Sequence, residues 1–134
     1  MPVIDASVYV TMLDTNDPGQ ADCKAWFTAT ATADEPVIAP SLILSEVAAA
    51  ISRSRNDAQL AKTVARALET SAIVRLVAVT PHLAKRAAMI AADQYVRGAD
   101  AIYLALAQQL DDVLVTLDRQ QLLRGAAVVK TRQP

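Results

Sequence analysis

Five short apolar runs, each followed or preceded by a helical stretch, constrain this chain more than any other feature. The runs are V-I-D at 3–5, E-P-V-I-A-P at 35–40, I-V-R-L-V-A-V at 73–79, D-D-V-L-V-T at 111–116 and A-A-V-V-K-T at 126–131. They are rich in valine and isoleucine and bounded by turn residues, as strands are. Between them the pattern is helical. A first helix is expected over 7–13. N-D-P-G at 16–19 reads as a turn, with Asp17 capping a second helix and Pro18 at its first position. Ser41 is expected to cap a helix running to Ser52, and the break at 55–57 starts another that ends near Thr70. Thr80 and Pro81 open the next, which ends near Val96. Past Gly98 an alanine-rich helix runs to Leu110, and a short helical turn precedes the last run. Strands this short, separated by helices, build βαβ units and a parallel sheet covered on both faces. The expected fold is therefore α/β, a three-layer α/β/α sandwich with a mostly parallel central sheet of about five strands. No repeat and no linker divides it, so residues 1–134 read as one domain.

The totals agree. A chain of 134 residues with 53% hydrophobic residues and a mean hydropathy of +0.24 can bury roughly two-thirds of its unfolded surface. No apolar run approaches the ~20 residues of a membrane span, and M-P-V-I-D-A lacks the basic start of a signal peptide. One cysteine, Cys23, excludes a disulfide framework and a cysteine metal site. These features point to the cytoplasm. A net charge of −1 leaves room for a local basic rim that could meet nucleic acid.

Four carboxylates stand out against this background. Asp5 lies at the end of the first strand, inside V-I-D-A-S-V-Y-V. Asp118 lies just past the fourth, in V-L-V-T-L-D-R. Parallel α/β sheets bind ligands outside the carboxyl ends of their strands. Glu46 sits in S-L-I-L-S-E-V-A-A-A-I, and its helical neighbours Leu42, Ile43, Ala49 and Ala50 are all apolar. It should lie on a buried face with no cation of its own helix in reach. Asp100 opens the helix of R-G-A-D-A-I-Y-L-A-L-A. Each acid alone has an ordinary explanation: Asp5 as a helix cap, Asp100 as a cap or dipole partner. The set is harder to explain that way. Asp22, Asp34, Asp57, Asp111 and Asp112 sit in turns or polar surroundings and read as solvated or capping.

Packed carboxylates repel and need a counter-charge. Mg²⁺ and Mn²⁺ prefer oxygen ligands of this kind, and the lack of His or Cys in the set argues against zinc. Such an ion activates water and stabilises charge on a phosphoryl group.

The four segments V-I-D-A-S-V-Y-V, S-E-V-A-A-A-I, G-A-D-A-I-Y-L-A-L-A and V-T-L-D-R-Q-Q-L, in this order, resemble the PIN-domain nucleases. More narrowly they resemble the VapC-type toxins of type II toxin–antitoxin systems. The resemblance spans essentially the whole chain. It implies that Asp5, Asp100 and Asp118 hold metal, and that Glu46 ligates it or orients water. It assigns supporting roles to Ser7 and to Thr116, which would orient Asp118 or a bound water. It further implies Mg²⁺- or Mn²⁺-dependent cleavage of RNA by metal-activated water, leaving a 5′-phosphate and a 3′-hydroxyl. A homodimer and a cognate antitoxin whose C-terminal segment fills the acidic site also follow from it.

An acidic site needs basic residues nearby to hold RNA. Arg97 and Arg119, which flank site acids in sequence, are the better candidates, ahead of Arg53 and Arg55. Trp26 and Phe27, with Ala25 and Ala29, are expected to form an apolar helix face, either core or an antitoxin groove. His82 reads as a surface residue. Two phosphotransfer folds of similar size fit poorly. A response-regulator receiver needs an acid after the third strand, where T-P-H stands, and a haloacid-dehalogenase-type phosphatase needs an Asp where Ser7 stands. A PIN nuclease that is not a toxin, and a non-catalytic PIN scaffold, remain as alternatives.

Overall fold

The computed structural model describes residues 1–134. Five strands, β1 (Val3–Ile4), β2 (Val37–Pro40), β3 (Val74–Val77), β4 (Leu114–Val115) and β5 (Thr131–Arg132), form one sheet in the order β3-β2-β1-β4-β5. All four pairings are parallel. The chain therefore builds outward from β1 to β3 and then returns to the other side of β1 with β4. The order reverses between β1 and β4, where Val3 pairs with Leu114 and Ile4 with Val115.

Seven helices connect and cover the strands: α1 (Ala6–Leu13), α2 (Gln20–Thr32), α3 (Ile43–Arg55), α4 (Ala58–Glu69), α5 (Pro81–Gln94), α6 (Gly98–Leu110) and α7 (Arg119–Arg124). Every residue of β1, β2 and β4 is buried. Successive strand residues point to opposite faces, so helices must cover both, giving the three layers. The edge strands are marked by exposed Arg75 and Arg132, charges that discourage edge-to-edge pairing. The central helix is α6, packed against β1, β2 and β4. Tyr103, Leu104, Ala105, Leu106 and Ala107 are fully buried in it, and each large apolar side chain so placed contributes roughly 1.5–3 kcal/mol. No helix is long and apolar enough to cross a membrane.

The elements themselves depart from the sequence reading in the following places. Asp17 does not cap α2: its side chain accepts from the Gly19 N–H at 2.8 Å, closing an Asx turn, and α2 begins only at Gln20 with no side-chain cap. Ser41 does not cap α3, whose N-cap position is Leu42 with no side-chain cap; the Ser41 N–H donates to the Val77 carbonyl at 2.8 Å, at the end of the sheet ladder. The last strand is not 126–131. Gly125–Ala127 is a 3-10 turn, the Val128 and Val129 N–H groups bond back to the Gly125 carbonyl, and only Thr131–Arg132 pairs with β4. Ala25 and Ala29 face solvent; the buried face of α2 is Cys23, Phe27 and Thr30. Phe27 stands edge-on to Tyr9 and to Trp26.

Gly125 is a packing requirement. A Cβ there would stand 2.6 Å from Leu104 Cδ2 and 3.3 Å from Thr131 Cγ2. Leu104 is fully buried and has little room to yield. Gly125→Ala is expected to cost about 1 kcal/mol, read as a lower urea midpoint at unchanged slope; an equal or higher midpoint would show that Leu104 can move.

Candidate active site

Asp5 follows β1 directly and caps α1. Its Oδ1 accepts from the Ser7 N–H at 3.1 Å, the Val8 N–H at 3.4 Å and the Ser7 hydroxyl at 2.5 Å. Its Oδ2 accepts from the Thr116 hydroxyl at 2.5 Å and from Gln121 Nε2 at 2.8 Å. One oxygen thus does the capping, while the other faces β4 and α7. The two hydroxyls also receive backbone N–H groups: Leu117 N–H donates to Ser7 Oγ at 3.1 Å and Asp118 N–H to Thr116 Oγ1 at 3.0 Å. The loop after β4 is therefore tied to Asp5 through Ser7 and Thr116. Even with five donors, burial dominates: Asp5 is 3% exposed, and its carboxyl is pushed up to about 6, chiefly by desolvation, against the opposing hydrogen bonds of Ser7, Thr116 and Val8 and with added repulsion from Asp100.

Asp100 lies in the first turn of α6 and is buried, but caps nothing. Its oxygens take Arg97 Nε at 2.8 Å, Arg97 Nη2 at 3.5 Å and Gln121 Nε2 at 3.3 Å. Asp118 caps α7 through a 3.0 Å bond from the Gln121 N–H. Its other oxygen receives Arg97 Nη2 at 3.3 Å. The Arg97 guanidinium, held charged first by its bond to Asp100, spans the two acids from an exposed position. Glu46 projects from α3 and accepts from the Tyr103 hydroxyl at 2.5 Å. Burial, followed by the Glu46 carboxylate, drives the Tyr103 phenol far above its usual range, so the hydroxyl is a permanent donor to Glu46.

All four acids line one open cavity of about 550 Å³, together with Ser7, Arg53, Arg97, Tyr103 and Gln121. Glu46 is half-buried at its wall, not within a closed core face, and Ala49 and Ala50 line the cavity beside it. Of the basic candidates, Arg97 and Arg53 line this cavity. Arg55 turns away to pair with Asp14 at 2.9 Å, and Arg119 is exposed outside the lining. His82 is exposed, and Cys23 is fully buried.

The donor set suits a hard divalent cation in type and sign: carboxylates only, open to solvent, without sulfur or imidazole. Its spacing is another matter. No three acidic side chains stand close enough to share an ion, since Arg97 bridges Asp100 and Asp118 while Gln121 bridges Asp5 and Asp100. A shared ion requires both the exposed Arg97 guanidinium and the buried Gln121 amide to give up these bonds.

The sequence reading missed Gln121. It is 1% exposed, and its Oε1 is buried without a hydrogen-bond partner, a cost of about 1–3 kcal/mol. Its signal was the spacing D-R-Q-Q, an N-cap acid followed three residues later by Gln, which is the capping-box pattern. In the structure the amide does not return to the cap; it reaches Asp5 and Asp100 instead.

A parallel sheet with carboxylates gathered where its order reverses defines an α/β protein whose site lies at the switch point. The family model described as the PIN domain matches residues 3–127, and the chain belongs to that family. No curated protein matches the sequence significantly. Among solved structures, the chain is similar to Mycobacterium tuberculosis VapC20, a sarcin–ricin loop cleaving toxin, at 19% identity and a TM-score of 0.78, with all of both chains covered. It is similar to FitAcB from Neisseria gonorrhoeae at 18% identity and a TM-score of 0.74, covering 100% of this chain and 98% of that one. A toxin–antitoxin complex from Klebsiella pneumoniae matches at 15% identity and a TM-score of 0.66, covering 92% and 91%. At these identities the likeness is one of fold.

Proposed function

We propose that this protein is a divalent-cation-dependent endoribonuclease that acts as the toxin of a toxin–antitoxin pair in the cytoplasm. The observation that carries the reading is the convergence of Asp5, Glu46, Asp100 and Asp118, from four separate elements, on one solvent-open cavity at the switch point of a PIN sheet. Mg²⁺, or Mn²⁺ in its place, would be held by Asp5, Asp100 and Asp118 once the Arg97 and Gln121 bridges between these acids give way, and would supply positive charge to the phosphoryl oxygens and a more acidic water. Ser7 and Thr116 hold Asp5 as an acceptor and fix the Asp118 loop. Tyr103 occupies one oxygen of Glu46 and leaves the other to orient water or take its proton. Arg97, exposed on a long stem, can exchange its two carboxylates for a phosphate of the RNA. Arg53 also lines the cavity and would serve the same purpose.

A cognate antitoxin is part of this reading, supported by the likeness to the Klebsiella pneumoniae complex; a homodimer is part of it through the sequence resemblance. The RNA substrate is supported by the likeness to a loop-cleaving toxin. The test is induction in a bacterial host with mapping of RNA 5′ ends. Discrete new 5′-phosphate ends that accompany growth arrest are expected. Arrest with an unchanged RNA end profile would refute the nuclease, and new ends without arrest would leave a nuclease that is no toxin.

A further inference from the structure

Arg97, Asp100 and Asp118 line a second, smaller cavity as well as the first. This cleft, of about 310 Å³, adjoins the active-site cavity at the guanidinium that bridges the two acids. Its lining also includes Tyr95 and Arg124. Tyr95 is unusual in two ways. Of the five aromatic side chains, Tyr9, Phe27 and Tyr103 are buried and Trp26 is half-buried, whereas Tyr95 is 81% exposed. Core packing therefore does not account for its ring. Its backbone lies in the left-handed region, at φ 56°, at the end of α5. The other residues with positive φ are Asp34, Asn56 and Asp111, whose short polar side chains tolerate it. A tyrosine is poorly suited to that conformation, and glycine or asparagine is the usual residue at such a helix end. The neighbouring helix holds it there: the Arg124 guanidinium donates to the Tyr95 carbonyl. That acceptor is neutral, and Arg124 is exposed and forms no ion pair, so its charge stays available at the cleft. An exposed ring, fixed in an unfavourable backbone conformation beside two guanidinium groups and the site acids, fits a binding role.

We infer that this cleft is a nucleotide subsite for single-stranded RNA, in which Tyr95 stacks an unpaired base beside the cleaved phosphate and Arg124, with Arg97, holds the adjoining phosphates. The inference rests on the ribonuclease reading above and extends it to the nucleotides that flank the cut. Unpaired bases stack on exposed aromatic side chains with little regard to sequence, and bases inside a duplex do not. The subsite therefore favours loops and single strands over helices.

The test is fluorescence anisotropy of a short fluorescein-labelled single-stranded RNA of mixed sequence, titrated with the full chain at several salt concentrations in EDTA, so that nothing is cut. Wild type is compared with Tyr95→Phe, Tyr95→Asn and Arg124→Gln, and each variant is also melted. Tyr95→Phe keeps the ring and is expected to bind as wild type does. Tyr95→Asn keeps the carbonyl that Arg124 holds and suits the left-handed backbone, so its melting temperature should equal or exceed that of wild type. It is nevertheless expected to bind the RNA at least about fivefold more weakly, the loss of one stacked base, with an unchanged salt dependence. Arg124→Gln is expected to bind more weakly and to lower the salt slope by about one. An unlabelled duplex of the same sequence should compete poorly against wild type. Equal RNA affinity in Tyr95→Asn and wild type would overturn the subsite while leaving RNA binding intact, and an unchanged salt slope in Arg124→Gln would remove its phosphate contact. If wild type binds no RNA even at low salt, the ribonuclease reading fails and the subsite with it, an outcome distinct from RNA binding that is indifferent to residue 95.

Discussion

Asp100→Asn is expected to lower RNA cleavage by at least about 10³-fold while the protein stays folded. The substitution is isosteric, so packing around the buried side chain is kept. What changes is charge and one set of lone pairs. The oxygens of Asp100 now receive three donors, two from Arg97 and one from Gln121; an amide nitrogen in place of either oxygen faces a donor with a donor. The negative charge that would hold a cation, and keep Arg97 near the cavity, is gone. Stabilisation of a phosphoryl transition state by a bound cation is worth several kcal/mol, and each ~1.4 kcal/mol lost is tenfold in rate. The measurement is the yield of new 5′-phosphate ends when purified wild type and variant meet cellular RNA with Mn²⁺, alongside thermal melts. Equal cleavage by both would remove Asp100 from the chemistry and the acid-site reading with it.

How much of this was legible in the sequence follows from what each residue's position depends on. Asp5 and Asp118 could be placed because each adjoins an apolar run, and the rule for parallel sheets puts strand ends at the site. The adjacency of β1 and β4, which brings Thr116 against Asp5, is a matter of strand order, and nothing local in V-L-V-T encodes it. Asp100 and Tyr103 lie three apart on one helical face. That Tyr103 meets Glu46, 57 positions away, depends on how α3 and α6 stand on the sheet. Gln121 was the hardest. Q-Q gives two identical side chains, one exposed and one buried, and only the phase of a six-residue helix tells them apart. The final strand was misplaced because Val128 and Val129 have the side chains of a strand. They pack against the core from a turn closed by Gly125, so tertiary burial overrode local preference.

Asp5→Asn is expected to raise the stability of the protein at pH 7, by about 2 kcal/mol, with EDTA present to exclude bound cations. The sign comes from the direction of the shift. The folded-state pKa of Asp5, about 6, lies above its ordinary value of 3.8. Between those values the native state holds a proton that the unfolded state has released, so stability falls as pH rises through this window and the full penalty stands at pH 7. The gap between 3.8 and about 6 corresponds to roughly 3 kcal/mol. Asparagine escapes that penalty but gives back part of it, because its NH₂ group would face the Thr116 hydroxyl and Gln121 Nε2, donors that now serve Oδ2. The advantage of the variant should therefore shrink as pH is lowered from 7 toward 4, where wild-type Asp5 is neutral in the folded protein. Urea unfolding of both proteins at pH 7 and pH 4.5 isolates the effect, since every other titrating group is common to the pair. A variant less stable than wild type at pH 7 would mean that the five hydrogen bonds to Asp5 outweigh its desolvation. A variant that is more stable and does not cleave RNA would mean that the fold carries a buried charge it does not need, at the position where the chemistry requires one.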